Sequence, residues 1–410
     1  MNTKELKKIF KDTDFVHRSG TPEEWKVAEY LRNCCDAQGV KAWLEAFAVP
    51  MAEIHAAAVV ADGKEIPCKG FFNCGSGKTE GELYYMPGTD PVSIAGAKDK
   101  IVLLDTHGVT YWVYQDLMRA GAKGILFQYG NIHYPNKDID ERDLRAKVVG
   151  DERRVLCAMI HTADAVKLVK SGAKHVSIEV HQREYDGVSH NVIAELPGRR
   201  PEWITLSAHY DTTALSHGAY DNMSGCVGLL GVLEALRGIN LNYGLRFVFC
   251  GSEERGLLGS RAYVEQHEEE LKDVVLNINL DMIGSALGKF IAVASAEEKL
   301  VHYLTYMGAE KGFPVRAKTG VYSSDSTSFA DKGVPALSMA RIASGNAAPI
   351  HCRYDTADVL SMEQLQRDIQ FISEFTRRMA CAAVCPVARE IPEKVKGELD
   401  EYLYRKRKAD

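Results

Sequence analysis

The chain has 410 residues, 46% hydrophobic and 26% charged. That is globular composition, long enough for one large domain or a domain with an insertion. A formal net charge of −6 excludes the overall basic field that draws nucleic acid, and no run approaches the ~18 uninterrupted apolar residues of a membrane span. The opening MNTKELKKIF carries charges where a signal peptide needs an apolar core. The ten cysteines therefore read as reduced thiols, and the expected location is cytoplasmic. Cys34-Cys35 and the Cys381/Cys385 pair have no matching second pair for a zinc-cysteine site.

In chain order, TPEEWKVAEYLRNCCDAQGV reads as a helix. Thr21 is its N-cap, Pro22 takes the first helical position, and Glu24 completes a capping box. Gly39 suits a left-handed cap after it, and VKAWLEAFAV follows as a strand. From residue 60 to 187 the pattern changes. KDKIVLLDTHG is a buried strand, VYQDLMRAGAKGILFQY a helix then a strand, and TADAVKLVKSGAKHVSIEV repeats that arrangement. Few His, Asp or Glu converge there, as expected of a lid or scaffold. CGSGKT at 74–79 resembles a phosphate-binding loop, but Phe72 stands where that motif needs glycine.

Beyond residue 187, ITLSAHYDT, GLRFVFCGSEE, VVLNINLDMIG and VPALSMA are apolar runs that stop at polar residues. SGCVGLLGVLEALRGI and EKLVHYLTYMGAEKG are helical patterns between them. Apolar strands alternating with helices predict an α/β fold with a mixed, mostly parallel sheet flanked by helices, and with an inserted smaller α/β or β-rich domain. The expected division is 1–59 and 188–385 for the main domain, 60–187 for the insertion and 386–410 for a charged tail. Arg405-Lys406-Arg407-Lys408 reads as a solvated run within that tail.

Ligands of such sheets bind beyond the carboxyl ends of the strands. Those ends present His209 and Asp211, a loop with Asp221, the adjacent Glu253 and Glu254, then Asp281 and finally His351. Imidazole and carboxylate suit first-row metals, and a carboxylate can bridge two ions. So many anions gathered without a cation could not all stay ionised; a metal pair removes that conflict.

SAHYDT, YDNMSG, CGSEERGLLGS, NLDMIG, SSDSTSF and IHCRYDTAD together resemble the M28 family of metallo-aminopeptidases in order, spacing and flanks, over roughly residues 190 to 380. KIVLL and AGAKGILF are similar to the protease-associated (PA) domain often inserted in such peptidases. The resemblance implies a zinc-exopeptidase-like fold and two Zn2+ per chain. His209 and Asp281 would hold one zinc, Glu254 and His351 the other, and Asp221 would bridge them. Glu253 would be the general base and Asp211 would orient the His209 imidazole. Neighbouring side chains on extended backbone diverge, so one glutamate can bind metal while the other faces the water between the ions.

Some members of the family carry a tyrosine before the last histidine; that position is Ile350 here, which leaves Tyr322 as a candidate oxyanion donor. Asp325 matches a position near the substrate, His217 and His302 are expected outside the ligand set, and Asp355 and Asp358 are expected to hold the His351 loop. The implied function is hydrolysis of the N-terminal residue of peptides, with peptide substrates, no nucleic acid and no membrane as partners. The same site suits a carboxypeptidase, dipeptidase or amidohydrolase, with Arg341 and Arg353 as candidate receivers of a terminal carboxylate. A non-catalytic peptide-binding protein is a third reading, against which Glu253 speaks, because binding needs no general base.

Overall fold

The computed structural model describes residues 1–407. The chain divides into two compact units, Met1–Val49 with Val188–Asp410, and Pro50–Gly187. Among the described residues, no helix is long and apolar enough to cross a membrane.

In the first unit the strands Trp203–His209, Gly244–Cys250, Val274–Leu280 and Ala336–Ile342 run parallel, side by side. One of them is wholly buried and the other three are buried at all but one residue, which is why their sequences are apolar without alternation. Lys289–Ser295 lies antiparallel on Ala336–Ile342, and residues 192–196 lie antiparallel on 245–249, so the sheet is mixed. The helix Ser224–Leu236 is buried nearly all round, as its uniform apolarity requires. Gly225 lets its first turn press on the sheet, since a Cβ there would sit 2.4 Å from the Leu280 carbonyl oxygen. The core also takes Leu6, Ile9 and Phe10 from Thr3–Asp12, and Val27 and Leu31 from Pro22–Ala37.

The second unit has its own core, drawn from Val59 to Val180. Gly77–Met86, Lys100–Leu104, Gly124–Tyr129 and Leu156–His161 form a parallel set, with the helix Tyr111–Ala120 between the second and third strands and the helix Thr162–Ser171 after the last. Lys78 and Thr79 lie inside the first of these strands, paired with residues 178–179. CGSGKT therefore opens a strand and not the helix that a phosphate loop needs.

Three local expectations change. The strand expected over VKAWLEAFAV continues through Pro50 to Ala61. The capping box at Thr21 is half made: Thr21 Oγ1 accepts from the Glu24 amide at 3.3 Å, but the Glu24 carboxylate turns inward. The segment 386–410, expected as a charged tail, contains the helix Glu393–Tyr402. Ile391, Val395 and Leu399 are buried against Ala330 and Ala336. Spaced four apart, they make one apolar stripe, and burying a side chain of that size is worth about 1.5–3 kcal/mol, enough to dock a segment whose other faces are charged. Arg405 pairs with Asp331 at its end; Lys408 lies outside the described residues.

Candidate metal centre

The parallel order of the four strands sets their carboxyl ends in a row. His209 is the last residue of its strand, Asp281 follows Leu280, and Glu253 and Glu254 open a short 3-10 turn after Cys250, with Gly251 and Ser252 between. Asp221 comes from the turn that enters the buried helix at Ser224, and its peptide bond to Asn222 is cis. His351 lies on the loop after Ala336–Ile342. Ser252, Met282 and His351 are non-glycine residues with φ of 58°, 63° and 56°. Such conformations cost of order 1–3 kcal/mol each and persist where the surroundings over-determine them.

Two groups of potential ligand atoms form, each with its atoms within 4.8 Å of one another: His209, Asp221 and Asp281, and Asp221, Glu254 and His351. Asp221 belongs to both. Its Oδ1 lies 3.3 Å from His209 Nε2 and its Oδ2 3.0 Å from His351 Nε2. Glu254 Oε1 lies 3.0 Å from His351 Nε2, and Asp281 Oδ1 3.8 Å from His209 Nε2. Glu253 is in neither group. Asp211 Oδ1 stands 3.5 Å from His209 Nδ1, on the far side of the ring, and does more than face that imidazole. Its two oxygens accept the amides of Glu253 at 2.7 Å and Glu254 at 3.2 Å.

The electrostatics show what these residues lack. Burial opposes ionisation of Asp221, yet hydrogen bonds from His209 and His351 outweigh it and hold its pKa below the usual carboxylate range. Burial pushes Asp281 up to about 7, with His209 opposing and Asp221 adding to the rise. Burial likewise raises Glu253, again opposed by His209 and reinforced by Glu254 and Asp325. Burial works against charge on both imidazoles. Glu253 and Asp211 nevertheless push His209 well up, and Glu254 and Asp221 do the same for His351. Asp281 Oδ1 is buried and accepts no hydrogen bond, which a native fold rarely tolerates without a partner of another kind. A divalent cation in each group is such a partner, and the imidazole–carboxylate donor set fits zinc. The seven residues thus fit a two-metal centre.

Other sequence candidates separate from this set. His217 is on the surface, its Nδ1 2.7 Å from Asp14, and His302 is exposed. Asp355 accepts from Ser216 Oγ at 3.0 Å and from the amides of Tyr220 and Asp221 at 2.8 and 3.3 Å, tying the His351 loop to the Asp221 turn. Asp325 is wholly buried, and that burial raises its pKa to about 6. Ile350 packs on the core. Burial, with Asp281 and Asp221 nearby, pushes the Tyr322 hydroxyl well up, keeping it a proton donor. Arg341 is engaged inside the fold, its Nε and Nη2 2.8 and 2.6 Å from the two Asp368 oxygens.

Sequence reasoning missed Glu24, Ser189 and Ser252, which lie under the Glu253–Glu254 corner. The only signal was Glu24 itself, and a capping box accounted for it.

Comparison with known proteins places the chain among peptidase-like sequences and folds. Residues 191–376 match the model of Peptidase family M28. Aminopeptidase YwaD of Bacillus subtilis (strain 168) is 29% identical over 250 residues, covering 58% of this chain and 53% of that one. Leucine aminopeptidase 2 of Arthroderma otae is 36% identical over 196 residues, covering 46% and 38%. The chain thus aligns with about half, or less, of these relatives' length. Among solved structures, a zinc aminopeptidase from Bacillus subtilis superposes with a TM-score of 0.77 at 20% identity, over 96% of this chain and 98% of that one. The aminopeptidase from Aneurinibacillus sp. strain AM-1 gives 0.72 at 20% identity, over 94% and 96%. The fold is therefore the mixed α/β fold of zinc aminopeptidases.

Proposed function

We propose that this chain is a dinuclear-zinc aminopeptidase that removes the N-terminal residue of peptides. The observation that carries the reading is Asp221, whose two oxygens face two different histidines, so that a single carboxylate is common to two sets of ligands. His209 and Asp281 would complete one zinc site, Glu254 and His351 the other. The zinc pair, when bound, supplies Lewis acidity that polarises a carbonyl and lowers the pKa of water.

The remaining chemistry belongs to the chain. Glu253 stands beside the ligands without being one, and its carboxylate takes the proton of the attacking water and delivers it to the leaving amine. Asp211 fixes the backbone of Glu253 while facing the far side of the His209 ring. The carboxylates around the site favour a substrate with a free ammonium group. Arg341, one of the two candidates for reading a substrate carboxylate, is bound to Asp368 instead, which removes it from that role.

One tripeptide offered free, N-acetylated and C-amidated tests this. The free and amidated forms are cleaved from the amino end and the acetylated form is not. Cleavage that survives acetylation and stops on amidation refutes the aminopeptidase reading.

A further inference from the structure

Glu24, at the start of the helix Pro22–Ala37, is only 2% exposed. Burying a carboxylate is costly unless its oxygens are well supplied with donors, and here they are. Oε1 accepts from the Ser252 amide at 3.1 Å, Ser189 Oγ at 2.9 Å and Ser252 Oγ at 3.2 Å, while Oε2 accepts from the Gly20 amide at 2.6 Å. Ser19 Oγ adds a 2.6 Å contact to Ser252 Oγ. Gly251 lies directly on this group: a Cβ there would meet Ser189 Oγ at 2.5 Å and Glu24 Oε1 at 3.1 Å.

Together with Asp211, Glu24 completes a pattern. Three consecutive amides, of Ser252, Glu253 and Glu254, each donate to a buried carboxylate, the first to Glu24 and the next two to Asp211. Ser252 is the left-handed residue that turns the chain from the strand into this corner, and rotation of its peptide plane would swing both glutamates. A helix start needs no buried carboxylate, since a solvent-facing capping box serves as well.

We propose that Glu24 is a positioning residue for the proposed hydrolase: through Ser252 it sets the direction in which Glu253 and Glu254 leave the strand. The inference rests on the functional reading above, because those two glutamates are its working residues. Misplacing a reacting group by about 1 Å can cost about a hundredfold in rate, so the effect falls on kcat and not on KM.

Glu24→Gln and Glu24→Asp in the full chain test it. Glutamine keeps the shape but offers one acceptor oxygen, so its amide nitrogen must face either the Gly20 or the Ser252 N–H. Aspartate keeps the carboxyl group but is too short to reach both. Four quantities are measured: Tm, zinc content, steady-state kinetics on an amino-acid anilide, and amide hydrogen exchange of a peptide spanning 250–256. For Glu24→Gln, exchange at 250–256 quickens while that of Val274–Leu280 does not change. Its kcat falls about ten- to hundredfold with little change in KM, and zinc is retained. Glu24→Asp lies between this variant and the parent, and decides the matter should glutamine prevent folding. Unchanged exchange and unchanged kcat in the folded variants overturn the proposal. Quickened exchange in a chain whose parent hydrolyses no aminoacyl substrate refutes the functional reading alone, with the hold of Glu24 on the corner upheld.

Discussion

Glu253→Gln separates proton transfer from metal binding. The substitution is isosteric, and the main-chain anchor stays, since the 2.7 Å bond to Asp211 comes from the Glu253 amide. Glu253 contributes to neither group of ligand atoms, so all five ligands remain. What is lost, on the proposed mechanism, is the base. General acid–base catalysis contributes about 10²–10⁴-fold, or about 3–5 kcal/mol at 1.36 kcal/mol per factor of ten. Burial and Glu254 already disfavour the charged form of Glu253, so a neutral amide does not destabilise the fold. The assay is kcat on an amino-acid p-nitroanilide, with zinc measured by elemental analysis and Tm by calorimetry on the same samples. The expected result is kcat lowered by about two to four decades, zinc near the parent level and Tm no lower. Loss of zinc, or a fall in kcat of less than about tenfold, refutes the assignment and exchanges the roles of Glu253 and Glu254.

Asp221→Ala behaves in the opposite way: because that carboxylate serves both ligand groups, zinc falls from two equivalents to less than one, read by the same elemental analysis after zinc loading and desalting. Arg341→Met leaves Asp368 buried without its cation, and unfolding in urea shows a loss of about 3–5 kcal/mol.

The parallel strands were legible because burial on both faces writes them as unbroken apolar runs, and because each run stops at the residues that reach into the site. GLRFVFCGSEE is the clearest case: the strand ends at Cys250 and the two glutamates follow Gly251 and Ser252. The rule for strand ends pointed to the carboxyl edge of the sheet, while the choice of His209, Asp221, Glu254, Asp281 and His351 as the ligands came with the resemblance to the M28 family. Glu24 was not legible, because its three-residue spacing from Thr21 fits a local cap while its true partner, Ser252, lies 228 positions away. Pro50 looked like the end of a strand, yet the chain continues extended through it. The docked helix Glu393–Tyr402 was hidden for a different reason. Its apolar stripe is only three residues wide, and Arg389, Glu390, Glu393, Lys394 and Lys396 around it gave the segment the composition of a solvated tail.

The division of one core between Met1–Val49 and Val188–Asp410 has a consequence for synthesis on the ribosome. Leu6, Ile9, Phe10, Val27 and Leu31 emerge first, but the residues they pack against begin at Val192. At roughly 5–20 residues per second, the ~140 residues separating Val49 from Val192 take about 7–30 s to make. Throughout that interval the two leading helices display apolar faces with nothing to cover them. The Pro50–Gly187 unit, contiguous in sequence and with a core of its own, meanwhile has everything it needs to fold. The insertion thus works as a delay line between two halves of a single core.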